Sequence, residues 1–304
     1  MKRKYTKLPD GRLAKAQPTR LERYLRQARQ LNMARASTSR LVSQPQQLPK
    51  EDVSDFDLQC LTGCEFILFG AGSVGSYLAR FLAVVSMILH VVDFKKVEPK
   101  HLHEGRTIYT ARDLGLLKVE ALKRHIEEDL PGTQVRTYPC DVEQFANSDL
   151  VAMFRRCVMA ILAIDDPEQM IRVADLAYPL VQLMQVAMHR RGHSSHIIIS
   201  IPYVTPCLRC TLGISSPDDI RRLDREPSSS GDIVTLANTA SNFAIDLACS
   251  KVASQRITRW DISKNRIYLA NRRDQTVSPD GAGSHYERGQ RRPGCPVCNN
   301  HMPL

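Results

Sequence analysis

Apolar residues along the chain fall into two kinds of run. Phe66-Ile67-Leu68-Phe69, HVVDF at 90–94 and CVMAILAI at 157–164 are short and nearly unbroken, the form of strands buried on both faces of a parallel sheet. Apolar spacing with the helical period follows the first run, predicting a helix over Ser76 to Val85, and starts again from about Leu117. In the second half VQLMQVAM, HIIISIPYV and NRIYLANR read as further strands, and LANTASNFAIDLACSKVASQRI as a long helix. Strand and helix in alternation predict an α/β fold.

Charge divides the chain differently. The whole sequence of 304 residues carries a formal net charge of +10 from 42 Lys plus Arg and 32 Asp plus Glu. Residues 1–50 hold 13 of those basic residues against Asp10 and Glu22, which leaves 29 and 30 in the remainder, close to neutral. The basic excess therefore belongs to a leader, a segment suited to solvent, to nucleic acid or to an acidic partner. Within it LERYLRQARQL has the pattern of a short amphipathic helix, and ASTSRLVSQPQQLPKEDVS reads as a linker. The expected organisation is a leader over 1–50 and a folded domain over 51–304. No apolar run approaches the roughly 20 residues that span a bilayer, and the charged start lacks the apolar core of a secretory signal. A soluble, cytoplasmic protein is expected.

The first apolar run leads straight into Gly70-Ala71-Gly72-Ser73-Val74-Gly75. In such a turn the first glycine allows the sharp bend, the second lets a phosphate approach the backbone, and the third lets the helix pack on the strand. Asp93 ends the second strand 18 residues after Gly75, where a carboxylate meets ribose hydroxyls. Nucleotide binding is the expectation. Arg106 and Lys118 flank a loop beyond Asp93, and two cations near a phosphate turn suit a triphosphate better than a nicotinamide. The third strand ends in Asp165-Asp166-Pro167. Asp166 before proline is a natural helix N-cap, which leaves Asp165 to hold Mg²⁺ against phosphate oxygens.

Nine cysteines in a chain without a secretory signal suggest thiols or metal ligands before disulfides. Cys207 and Cys210 form one CxxC pair, Cys295 and Cys298 another, with 84 residues between the pairs. Two such knuckles make a tetrathiolate Zn²⁺ site with no open coordination position, a structural clamp across the second half. Cys60, Cys64, Cys140, Cys157 and Cys249 read as ordinary thiols.

Taken together, GAGSVG, VVDF followed by VEP, DLGLLKVEAL, the acid after the third strand and the two distant CxxC pairs resemble the ThiF/MoeB/ubiquitin-activating adenylyltransferase family, from about Leu61 to Asn300. The resemblance implies a Rossmann-like, mostly parallel sheet with an antiparallel extension and a structural zinc clamp near the C-terminus. It implies Mg·ATP as a substrate complex and, as partner, a small ubiquitin-like or sulfur-carrier protein ending in Gly-Gly, or a peptide. The partner's terminal carboxylate would attack the α-phosphate and give an acyl-adenylate and pyrophosphate. Carried onto this chain, Asp93 holds the ribose, Lys118 and Arg106 the phosphates, and Asp165 the Mg²⁺. The leader segment Arg23-Tyr24-Leu25-Arg26-Gln27 is similar to the RYxRQ segment of MoeB-like members, so that Arg26 reaches the ATP of a second subunit in a homodimer.

Departures from the family pattern are also visible. Lys95 stands where the family has the second acid of a DxD, His101 stands near an asparagine position, and Glu104-Gly105-Arg106-Thr107 occupies an arginine-glutamine region. The segment TLGISSPDDIRRLDREPSSSGDIVTLANTAS, where ubiquitin-activating members carry a nucleophilic cysteine, has none. That implies adenylation without a self-thioester, with SPDDIRRLDREPSSSGD as a polar loop over the partner's tail. Two alternatives stand beside it: a degenerate nucleotide-binding module whose leader grips nucleic acid or an acidic partner, and an NAD(P)-dependent oxidoreductase.

Overall fold

Apolar runs with no polar break need cover on both faces, and the structure supplies it. The computed structural model describes residues 5–7, 13–15, 58–83, 87–130, 132–189, 194–221, 230–253, 261–270 and 283–298. By contact density the chain divides into Met1–Val53 and Ser54–Leu304. In the first unit, strands β1 (Tyr5–Lys7) and β2 (Leu13–Lys15) pair antiparallel with Tyr5 opposite Lys15. The predicted leader helix, Arg26 and the linker lie outside the described residues.

The second unit is built on one eight-stranded sheet. Its strands are β3 (Glu65–Phe69), β4 (Ile88–Val92), β5 (Gln134–Tyr138), β6 (Cys157–Leu162), β7 (Gln182–His189), β8 (Ser194–Ser200), β9 (Arg266–Ala270) and β10 (Gly283–Glu287). Their order is β10-β9-β8-β7-β6-β3-β4-β5. Strands β5, β4, β3, β6 and β7 run parallel, and β8, β9 and β10 continue the sheet antiparallel. The mostly parallel sheet and its antiparallel extension agree with the sequence expectation. Strand β3 has β4 on one side and β6 on the other, so the chain reverses its direction of winding there. Crevices for ligands open at the carboxyl ends of strands at such a switch point.

Helices cover both faces: α1 (Ser73–Leu82), α2 (Lys118–Asp129), α3 (Asn147–Arg156), α4 (Pro167–Ala177), the short α5 (Leu208–Leu212) and α6 (Pro217–Arg221), and the long α7 (Ser230–Ala253). Along β3 the side chains alternate between the layers. Phe66 and Leu68 pack with Leu78 of α1, Leu122 of α2 and Phe243 of α7, while Ile67 and Phe69 pack with Phe154 of α3 and Val173 of α4. Each of these four β3 residues is fully buried, worth about 1.5–3 kcal/mol apiece against exposure.

Several boundaries differ from the sequence expectation, among them the start of α7 at Ser230 where Leu236 is expected, and two have clear local causes. Helix α1 begins at Ser73, not Ser76, because Gly75, lacking a Cβ, fits inside the first turn against the Gly70 carbonyl. Part of the expected polar loop is the helix α6. There the Ser216 hydroxyl accepts from the Asp219 backbone N–H, and the Asp219 carboxylate accepts from the N–H of Ser215 and Ser216. With Pro217 at the first position, this is a reciprocal cap. Residues 222–229 lie outside the described residues.

Candidate nucleotide site and cysteine cluster

The glycine turn is shaped by close approach. Gly70 has φ +96°, and a Cβ there would sit 2.4 Å from the Ala163 carbonyl oxygen. A Cβ on Gly75 would lie 2.0 Å from the Gly70 carbonyl oxygen. Gly72 is different: its missing Cβ faces open space, a gap through which a phosphate can reach the backbone. Ala71 between them is gripped at both ends. Its N–H donates to Asp93 Oδ2 at 2.8 Å, and its carbonyl accepts from the Tyr109 hydroxyl at 2.7 Å. No side chain caps the start of α1, so its first N–H groups remain available to an anion.

A cavity of about 690 Å³ opens in front of this turn, lined by Gly70, Gly72, Ser73 and Val74, by residues following β4, β5 and β6, and by Gln185 to Met188 of β7. Arg106, Lys118, Lys95, Lys100, Asp93 and Asp165 also line it. The four cations are not equivalent. Lys100 pairs with Glu98 at 2.6 Å. Lys95 places its ammonium 3.1 and 3.0 Å from the two Asp165 oxygens. Lys118 is buried, and burial lowers its pKa, with Asp93 opposing that shift and Lys95 adding to it. Arg106 has a buried Nε with no hydrogen-bond partner. Among the described residues neither Lys118 nor Arg106 has a carboxylate partner, so both cations suit an incoming polyanion. Burial and the nearby Lys118 also lower the pKa of His101, whose Nδ1 accepts the Glu98 N–H at 2.8 Å.

The loop bearing these cations is stitched to the sheet. The N–H of Lys118 donates to the Lys95 carbonyl at 2.9 Å, and Lys96 bridges Leu117. Asp113, of the DLGLLKVEAL segment, is completely buried. It accepts from the Thr110 N–H and hydroxyl, from Arg124 and from His125 Nε2 at 2.8 Å. Burial raises its pKa, but the His125 and Thr110 hydrogen bonds outweigh this and the net shift is downward. The loop therefore hangs from a carboxylate anchored on α2.

The four paired cysteines converge. The Sγ atoms of Cys207, Cys210, Cys295 and Cys298 all lie within 4.8 Å of one another and are buried. Cys207 to Cys295 and Cys210 to Cys298 are each 3.7 Å, and a tetrahedron of bonds near 2.3 Å has edges of about 3.8 Å. The N–H groups of Cys207 and Arg292 point at Cys298 and Cys210 sulfurs, the donors that thiolates in a metal site accept. The donor set fits a closed metal site. Glu65, His90 and Cys157 also meet. There, however, Arg136 and Arg156 each come within 3.6 Å of Glu65 and His90 is held between Glu65 and Tyr138. Two guanidiniums on the only carboxylate make it a poor cation site.

Of the residues singled out from sequence, Gly70, Gly72, Asp93, Arg106, Lys118 and Asp165 line one cavity. Gly75 stands behind the turn. Asp166 caps α4, accepting from Glu168 and Gln169 N–H. Cys249 is fully buried on α7, 3.7 Å from Cys60. Three features escaped the sequence reading: the Lys95–Asp165 pair, Tyr109 on the glycine turn, and the buried His196–Gln185 contact of 2.6 Å on the cavity wall. The first had a visible trace in Lys95 itself, an odd cation after the strand. The other two are long-range contacts with no local signature.

The ThiF family model matches residues 45–297. Over 156 residues the chain is 24% identical to the "Adenylyltransferase and sulfurtransferase UBA4" of Candida glabrata, covering 51% of this chain and 35% of that protein. For the protein of the same name from Lodderomyces elongisporus the figures are 22% over 151 residues, 49% and 32%. The chain thus spans about a third of the length of these curated relatives. Among solved structures, Escherichia coli MccB with ATP superimposes with a TM-score of 0.60 at 15% identity, covering 79% of this chain and 68% of that one. PaaA superimposes with a TM-score of 0.55 at 15% identity over 94% and 98%. These two likenesses are of fold.

Proposed function

Because the chain belongs to the ThiF family, we propose that it uses ATP to adenylate a carboxylate of a partner protein or peptide. One observation carries this. A buried ammonium that makes no ion pair among the described residues (Lys118) and a buried guanidinium nitrogen without a hydrogen-bond partner (Arg106) share a cavity with the uncapped start of α1. A buried cation with no direct partner is costly unless an anion completes it. The curated relatives are named adenylyltransferases, and MccB has been solved with ATP and with N-formylated MccA.

In the proposed reaction, an oxygen of the partner's carboxylate forms a bond to the α-phosphorus of ATP. The bond from that phosphorus to the bridging oxygen breaks, and its electron pair leaves with pyrophosphate. The products are a mixed anhydride of the carboxylate with AMP, and pyrophosphate. No proton need move. What the protein supplies is alignment and compensation of the charge that builds on the leaving group. The N–H groups at the start of α1 and the gap at Gly72 would hold phosphate oxygens, Lys118 and Arg106 would offset the leaving charge, and Asp93 would meet the ribose. Each Asp93 oxygen already accepts one backbone N–H, from Ala71 and from Lys95, and a carboxylate oxygen has room for a second donor.

As to the partner, we favour a small carrier ending in Gly-Gly. Arg26 of a second copy would then complete the phosphate contacts in a homodimer. With no cysteine between Cys210 and Cys249, the adenylate is the product released. The CxxC pairs would hold structural Zn²⁺, tying the segment after β10 to the start of α5. The Mg²⁺ expected on Asp165 does not fit the residues there: an ammonium spans both of its oxygens, and that ammonium belongs to Lys95, which stands where the family has a second acid. Among the described residues no helix is long and apolar enough to cross a membrane.

ATP–pyrophosphate exchange tests the proposal. Label should enter ATP only when a carboxylate partner such as a Gly-Gly-ended carrier is present. Exchange indifferent to every carboxylate offered, with intact ATP binding, would leave a nucleotide-binding module instead.

A further inference from the structure

The backbone of Lys95 is held from two sides, while its side chain is 43% exposed and that of its partner Asp165 67%. The Lys95 backbone N–H donates to Asp93 Oδ1 at 2.7 Å and its carbonyl accepts from the Lys118 N–H at 2.9 Å. The first residue beyond β4 and the first residue of α2 thus clamp its Cα from both sides. The side chain passes the Phe94 ring, with Nζ 5.8 Å from its centroid. It then reaches across 70 residues of sequence to both oxygens of Asp165. Strand β4 lies beside β3 and β6 on its other side, so the lysine spans the crevice at the switch point where phosphates would lie. Its charge reaches Lys118 as well, lowering that residue's pKa.

From this geometry, and resting on the nucleotide site proposed above, we infer that Lys95 takes the place of the divalent cation on Asp165, so that ATP binds to this protein without Mg²⁺. An ammonium 3 Å from both carboxylate oxygens occupies the face from which a metal would be coordinated. A divalent ion there would have to displace the ammonium from the carboxylate. Conversely, a triphosphate finds three cations, Lys95, Arg106 and Lys118, already lining the cavity. Lys95 is balanced by Asp165, so Arg106 and Lys118 supply the charge a metal-free nucleotide meets directly, and Lys95 holds the carboxylate that would otherwise repel it. Lys95 is thereby a positioning residue as well: through Asp165 it sets where the phosphates can come to rest.

Calorimetric titration of the full chain with α,β-methylene-ATP decides it, in buffer with EDTA and in buffer with excess Mg²⁺. The affinity of the wild-type protein should agree within about threefold between the two buffers. Lys95→Ala should lose about tenfold or more in EDTA and recover with Mg²⁺, because Asp165 is then open to the metal. A wild-type affinity that collapses about tenfold on metal removal would overturn the inference, and so would Lys95→Ala binding like wild type in EDTA. Failure of the wild-type protein to bind in either buffer is a separate result: it removes the nucleotide site itself, and this inference with it. Thermal melting of the variant checks that its fold is intact.

Discussion

Asp93 accepts the backbone N–H of Ala71 at 2.8 Å, so the acid that ends the second strand braces the glycine turn that follows the first. Its other oxygen receives the Lys95 N–H at 2.7 Å. Replacing Asp93 with Asn keeps the shape but turns an amide NH₂ toward one of these two donors. The variant should lose about 1–3 kcal/mol of stability, measured by urea unfolding. Nucleotide affinity should fall with it, because the turn and the α1 terminus move together.

Lys118→Met separates stability from function. Burial makes the ammonium unwelcome, so the methionine variant should unfold at equal or higher denaturant, by about 1 kcal/mol. ATP–pyrophosphate exchange should nevertheless drop about 100-fold or more. The folded-state pKa of Lys118 lies below its unfolded value of about 10.4, so its cost is present at neutral pH. That cost fades as pH rises through the lowered value. The stability gap between wild type and Lys118→Met should close correspondingly at alkaline pH.

Asp113 should govern acid stability of the cation loop. Its folded pKa is lowered, so its contribution is complete above the unfolded value of about 3.9 and is lost as pH falls through the folded one. Asp113→Asn should cost about 1–3 kcal/mol at pH 7, a deficit that shrinks below about pH 4. Equal deficits at pH 7 and pH 3 in chemical unfolding would contradict this.

The sulfur cluster predicts about one zinc per chain, read by dye after mercurial release. Cys295→Ser or strong chelation should lower the melting temperature by roughly 10 °C or more, as expected for a loss of several kcal/mol. Nucleotide affinity should change less than stability, since the cluster contributes no residue to the cavity.

Legibility from sequence followed how local the cause was. The strands β3, β4 and β6 declare themselves by apolar runs because helices cover both their faces. Asp166-Pro167 announces a cap, and two CxxC pairs announce their own convergence. Strand β5, QVRTY, lies at one edge of the sheet and β10, GSHYE, at the other. Each is mostly polar or half-buried, so neither carries a buried-strand pattern and both went unread. The SPDD cap of α6 was legible but lay inside a segment dominated by Ser, Pro and charge. The Lys95–Asp165 pair and Tyr109 on Ala71 depend on chain segments that only the assembled sheet brings together.

Synthesis order gives the cysteine cluster a further significance. Cys295 follows Cys210 by 85 positions, which at 5–20 residues per second is roughly 4–17 s on the ribosome. During that interval the first knuckle offers two thiols and no complete tetrahedron, while β3 to β8 have already been synthesised. The strands of the parallel half are thus all made before the four thiols can meet. A metal bound there, as proposed, could act only after the residues of the glycine turn and its cavity have been made.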